Sequence, residues 1–237
     1  MPKKEKTQVP VVMQELSDDL KKQLYFSKLP IITTIRQGIM QIKGETETFQ
    51  SFNGVVIYIS PRRVLWEGNS IRCFSINGEK PSPYSLEPKS EKCTKCSFLI
   101  PKKEKNGVRC MFVIKTYWLL ENSILPAILT ITKINQVNFR RYLGILTSKG
   151  KLVSQVITKV QSREDKNKMG FSYCRLDFSY VDDIDERIKG LIPFYVDLVK
   201  RYEKGTIMEE AFEEEAFEEE PLEEINLDEP EKTEENT

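Results

Sequence analysis

Apolar and polar positions alternate in short runs along most of this chain, and helical spacing shows in three places. Ser17-Asp18-Asp19 is set to cap a short helix carrying Leu20, Leu24 and Tyr25, ended by Pro30. β-branched residues over 31–43 predict one or two strands, and 44–50 reads as a loop. Residues 55–59 form a compact strand closed by Ser60-Pro61. Strand signals return at 111–120 and 127–133, then at 152–160 and 171–178, the last two joined by a charged loop over 162–168. Asn135 is placed to cap a helix running to about Lys149. Val137, Phe139, Tyr142, Leu143 and Leu146 make its apolar face, and Gly150 stands where a helix ends. A last helix starts near Asp182 or Asp183 and runs towards Lys204, kinked or split at Pro193.

From residue 55 the order is strand, insert, strand, strand, helix, strand, strand. Five strands with a helix between the third and fourth is the order of the OB-fold, a small Greek-key barrel whose face and loops bind oligonucleotides. The expected class is therefore mainly β with helices (α+β), built on a five-stranded OB-fold-like barrel. The expected organisation is a flexible basic arm (1–14), a helix and strand extension (15–54), and the barrel (55–181) with an insert at about 67–110. A C-terminal helix (182–204) and a disordered acidic tail (205–237) follow.

Charge sharpens this picture. The chain has 237 residues with 36 basic and 36 acidic groups, yet residues 205–237 hold fifteen acids and one lysine. The tail carries −14 and the rest +14. Such a tail repels itself and lacks the apolar surface to offset chain entropy. It is also a tethered competitor for any polyanion the body binds, and Phe212 and Phe217 give it two apolar hooks for a partner. No histidine is present, which excludes Ser-His-Asp and Cys-His catalysis and imidazole metal ligands. Apolar runs are far short of a bilayer span, and the charged N-terminus does not read as a secretory signal. The expected compartment is a reducing cytoplasm.

In that compartment, cysteines point to metal or core packing rather than disulfides. Cys73, Cys93, Cys96 and Cys110 fall within 38 residues, spaced C-x19-C-x2-C-x13-C, in a stretch rich in Gly and Pro. Cys93-Thr-Lys-Cys96 is a knuckle whose two sulfurs can reach one ion, and the flanking pair completes a closed tetrahedral Zn²⁺ shell with no open position for catalysis. Lys92 and Lys95 are placed to offset its charge. The alternatives are unconnected thiols or a redox pair at Cys93/Cys96. Cys174 alternates with Leu176 and Phe178 and reads as a core thiol.

Cations interleaved with aromatic rings suit single-stranded nucleic acid, because phosphates need charge and bases need flat stacking partners. The candidates are Arg62, Arg63 and Trp66 after the first barrel strand, and Lys115 and Tyr117 on one face of the next. Arg140 and Arg141 lie on the helix, where they read equally as a solvated face. Tyr173 and Arg175 share the non-cysteine face of the last strand.

This layout resembles that of phage-type single-stranded DNA-binding proteins, over residues 55–237. The T-even type has a zinc subdomain inserted in an OB-fold and an acidic C-terminal tail. The resemblance carries the metal role onto Cys73, Cys93, Cys96 and Cys110, with a thiolate where the T-even pattern has histidine. Lys3, Lys4, Lys6 and Thr7 are similar to part of the T-even N-terminal self-association motif, which Glu5 interrupts here. Family tails often end in an aromatic residue, whereas this one ends in Asn236-Thr237. The expected function is non-enzymatic, largely sequence-independent binding of single-stranded DNA in replication, recombination or repair. The tail is expected to compete with DNA and to dock replication or recombination proteins. The alternatives are a zinc-ribbon transcription or polymerase-accessory factor, and a nucleic-acid enzyme built on Asp177, Asp182, Asp183 and Asp185.

Overall fold

The computed structural model describes residues 16–35, 37–67, 70–99, 110–121, 123–167 and 170–216, with side chains for all of these except 66–67, 70 and 206–216. The expected basic arm at 1–14 and Phe217 lie outside the described residues. Among the described residues, nine strands form one sheet and three α-helices pack on it. In chain order these are α1 (Asp18–Tyr25), β1 (Ile31–Ile35), β2 (Ile39–Ile42), β3 (Thr48–Phe49), β4 (Ser51–Glu67) and β5 (Ser70–Ser75). There follow β6 (Cys110–Leu120), β7 (Ala127–Ile131), α2 (Lys133–Ser148), β8 (Val156–Lys166), β9 (Ser172–Asp183) and α3 (Glu186–Ala216). The sheet order is β3-β2-β1-β7-β6-β4-β8-β9, with β5 paired to β4. All pairs are antiparallel except β1 and β7. The architecture is a strand-dominated α+β fold, in which the strands before residue 55 join those of the expected barrel region in one sheet.

β4 is the spine. It does not stop at Ser60-Pro61 but continues to Glu67, with Pro61 opposite Ile114 of β6. The proline is tolerated because β4 pairs with β8 only at 51–54 and with β5 only at 63–67. Between those stretches one edge of β4 has no strand partner among the described residues, which is where a residue without N–H belongs.

The sheet curls until the β1–β2 turn meets β8. Gly38 sits there at φ +76°, and its carbonyl accepts the Ser162 hydroxyl at 2.8 Å. A Cβ at Gly38 would run into the backbone of Arg163 and Glu164. Gly38→Ala is therefore expected to destabilise the fold by more than the ~1–2 kcal/mol that a left-handed backbone alone costs, read as a lower urea midpoint. An unchanged midpoint would show that this seam carries no stability.

Curling gives two apolar faces. Val55, Ile57, Tyr117 and Leu119 pack under α1 and α3, against Leu24, Ile188, Tyr195, Leu198 and Val199. Val56, Ile114, Trp118, Leu129, Val160 and Leu176 line the concave side with Phe139 of α2. Cys174 is buried in this second cluster. Alternation along β6 decides which residue faces which core.

Several local features differ from the sequence pattern. Ser17 does cap α1, accepting from Leu20 N–H at 3.2 Å. Asn135, in contrast, is no cap: Thr132 precedes α2, and Asn135 is buried against β9. Its amide donates to the Cys174 carbonyl at 3.0 Å and accepts from Leu176 N–H at 2.9 Å, and Asn138 donates to the Leu176 carbonyl at 2.9 Å. Two side chains thus satisfy a stretch of β9, the last strand on the sheet path. α2 ends as its sequence says. Gly150 takes φ +69°, and the Lys151 and Gly150 N–H groups return to Leu146 and Thr147. The charged stretch at 162–166 is not a loop but the end of β8, laddered to β9 as far as Lys166 opposite Ser172.

Asp182 and Asp183 end β9, and Asp185 caps α3 by accepting from Ile188 N–H at 2.9 Å. α3 runs through Pro193 without interruption and on to Ala216. Residues 205–216 of the expected tail continue α3, and 217–237 lie outside the described residues. A helix already nucleated upstream extends at no further nucleation cost, and Glu and Ala are good helix formers.

Candidate functional site

β5, β4 and β6 lie side by side at one end of the sheet, and the cysteines gather there. Leu65 of β4 stands opposite Cys73 on one flank and Cys110 on the other, so these two thiols share a face of the sheet. Cys93 opens a 3-10 turn, Cys93–Lys95, and its N–H donates to the Glu79 carbonyl at 2.8 Å. Cys96 and Leu99 N–H continue the turn, and Cys110 N–H donates to the Phe98 carbonyl at 2.8 Å. Backbone bonds thus tie the knuckle to the start of β6.

All four thiols are free and line one pocket with Arg63 and Lys89. Burial pushes the Cys110 thiol up to about 11; Arg63 opposes this, while Cys96, Cys93 and Cys73 add to it by like-charge repulsion. Crowded thiolates disfavour one another until a cation is shared among them, so the donor set suits a thiophilic divalent ion. Lys92 and Lys95 are exposed beside it. Among the described residues no group of three or more Cys, Asp or Glu side chains is arranged to hold a metal ion. The four thiols share a pocket without having converged on ligand geometry.

Arg63 links this pocket to a second feature. Its Nε donates to the Gly78 carbonyl at 3.2 Å, and its guanidinium lies 5.6 Å from the centre of the Phe112 ring. Gly78 is held at φ +76° in an Asn-Gly turn whose N–H donates to the Ser75 hydroxyl. Arg140 approaches the same ring from α2 at 5.7 Å. The Gln136 amide of α2 donates to the Phe112 carbonyl at 2.8 Å. One half-buried ring therefore has two guanidinium neighbours, contributed by β4 and α2. The ring is partly buried against the cluster that holds Ile114 and Trp118. Only the register, Arg63 opposite Phe112, reveals the cluster.

The other expected nucleic-acid residues are placed differently. Arg62 and Tyr117, expected to be available to a ligand, are buried at 8% and 0% exposure. The reason is Glu203 of α3, whose carboxylate accepts from Arg62 Nη2 at 2.8 Å and from the Tyr117 hydroxyl at 2.7 Å. Burial and the Glu203 charge raise the Tyr117 hydroxyl far above the usual tyrosine range. Lys115 is half-buried, its ammonium 5.9 Å from the Tyr117 ring centre.

Arg175 donates to Asp165 at 3.1 Å and Asp177 at 3.2 Å, and the Tyr173 hydroxyl donates to Asp165 at 3.1 Å. The hairpin register sets Asp165 opposite Tyr173, so these donors are already engaged with carboxylates. Arg140 and Arg141 are exposed on α2. Trp66 pairs with Ile71 in the ladder, and its side chain lies outside the described set, as does that of Phe212.

The carboxylates considered for catalysis have structural partners. Asp177 accepts from Arg163 and Arg175, Asp183 is paired with Lys151, and Asp185 caps α3. Among the described residues, no helix is long and apolar enough to cross a membrane. Comparison with family models, curated proteins and solved structures finds no match to this chain.

Proposed function

We propose that this protein binds single-stranded DNA non-catalytically and largely without regard to sequence, in replication, recombination or repair. The observation that carries the reading is the Arg63–Phe112–Arg140 cluster on a body of net +14. Guanidinium groups around an aromatic ring offer both phosphate charge and stacking planes, the two needs of an unpaired strand. Arg141 supplies further exposed charge. The core is read as an OB-fold-like barrel over 55–181. Support comes from the order β4, β6, β7, α2, β8, β9, in which the first strand pairs with the second and the fourth. One structural Zn²⁺, held by Cys73, Cys93, Cys96 and Cys110, is read as fixing the segment that carries the Gly78 turn behind Arg63. The acidic residues after Gly205 are read as competing with DNA and docking replication or recombination proteins.

Phe112→Ala is expected to weaken binding to an unstructured oligonucleotide by about 1–3 kcal/mol, the worth of one stacked base. Arg140→Ala is expected instead to lower the slope of log affinity against log salt by about one, the signature of one lost phosphate contact. Denaturation curves of both variants separate lost contacts from lost folding. The deciding experiment titrates the protein with matched single- and double-stranded oligonucleotides. Equal or tighter binding to duplex would replace this reading with the transcription or polymerase-accessory one.

A further inference from the structure

We propose that the protein associates head to tail with a second copy of itself, the acidic end of α3 docking on the outer face of α2. The receiving face is visible in the packing. α2 buries Asn135, Gln136, Phe139, Tyr142 and Leu146, and on the opposite side it exposes Ile134 (44%), Val137 (63%) and Ile145 (48%). These three fall at spacings of three and eight residues with Arg141 between them, which makes one stripe along the helix. Val137 belongs to the apolar pattern that predicts the buried face, and its exposure leaves that apolar surface without a partner among the described residues.

Two properties of the stripe select its occupant. α2 contains Lys133, Arg140 and Arg141 and no acidic residue, so the occupant should be acidic. Gly144 lies on the exposed side, and a Cβ added there meets nothing within 4 Å, so another helix can approach closely. The end of α3 supplies the complement. Between 206 and 216 its sequence reads Thr-Ile-Met-Glu-Glu-Ala-Phe-Glu-Glu-Glu-Ala. Ile207, Met208, Ala211, Phe212 and Ala216 recur at helical spacing, and every residue between them is glutamate.

Among the described residues, the two helices pack on opposite faces of the sheet. α3 packs on the face of the sheet that holds Tyr117 and Leu119, whereas α2 packs on the face that holds Trp118 and Leu129. α3 is one continuous helix, so its last eleven residues, about 16 Å of rise, carry on from the side away from α2. The complement must therefore come from another molecule. Such a contact uses two different surfaces, so each copy keeps one of each free and assembly continues beyond a pair. Because acids meet bases, salt weakens it.

The test is the mass of the full chain in solution, without nucleic acid, by sedimentation or light scattering. The wild type is expected to rise above the 27.6 kDa of one chain as concentration increases, and to fall back as salt is added. Val137→Glu with Ile145→Glu removes the receiving face, and Met208→Ser with Phe212→Ser removes the docking helix. Each variant alone is expected to stay at one chain, and an equimolar mixture of the two is expected to reach two chains and stop there. A wild type that stays at one chain overturns the proposal. So does a mass that salt does not change, assembly that both variants retain, or a mixture that stays at one chain. The salt series needs no variant, so it decides even if a substituted chain folds poorly.

Discussion

Replacing Glu203 with alanine is expected to destabilise the protein by about 3–5 kcal/mol, the usual result of stripping one partner from a buried ion pair. Glu203 and Arg62 have side chains only 7% and 10% exposed, and they meet at 2.8 Å. The same carboxylate accepts the Tyr117 hydroxyl at 2.7 Å and the Ser60 hydroxyl at 3.4 Å. Alanine would leave a guanidinium and two hydroxyls without their acceptor in a largely buried place. Tyr117→Phe removes one donor and leaves the pair, so its cost is expected near 1 kcal/mol. Arg62→Met combined with Glu203→Leu is expected to regain most of the loss, because no charge is then left alone. Chemical denaturation of the four proteins tests this; a loss below about 1 kcal/mol for Glu203→Ala would mean that water or a shifted α3 takes over the carboxylate's role.

The second large effect concerns the thiol pocket. Protein made with zinc present is expected to carry one ion per chain, and Cys96→Ser to lose it. Structural zinc supplies on the order of 10 kcal/mol of folding free energy in small modules. That energy is expected to act locally, because none of the four cysteines belongs to the three apolar clusters found among the described residues. Chelation should therefore open residues 76–99 to protease while Cys174 of β9, buried in the cluster with Trp118 and Phe139, stays protected from alkylation. Metal-free protein with the same protease pattern would return the four cysteines to unlinked thiols.

Much of the fold was legible because periodicity is a local property. The strands at 111–120 and 127–131, the Ser17 cap and the Gly150 terminus all depend on residues within a few positions of one another. What stayed hidden depends on partners far along the chain. Arg62 looks like a turn cation until Glu203, 141 residues later, is folded onto it. Pro61 looks like a strand end until the neighbouring edge proves to have no strand partner there among the described residues. Residues 162–166 look like a solvated loop because each charge finds water or a cross-strand partner equally well, and only the β9 register decides. The thiol cluster was legible from spacing. The Phe112 cluster was not, because it needs a strand register and a helix position at once.

The parallel pairing of β1 with β7 also sets a timetable for synthesis. Ile31 is matched to Ile128, 97 residues further on. At roughly 5–20 residues per second, the ribosome reaches Ile128 about 5–20 s after Ile31. During that interval the β1–β2 hairpin has its own turn but no neighbour for its other edge. The β8 backbone that seats Gly38 is made later still. Nascent chains should therefore hold an unsheltered strand edge for longer than a hairpin takes to form, a window in which a holding chaperone would raise the yield of native protein more than it would for the late β8–β9 hairpin, whose strands are adjacent in the chain.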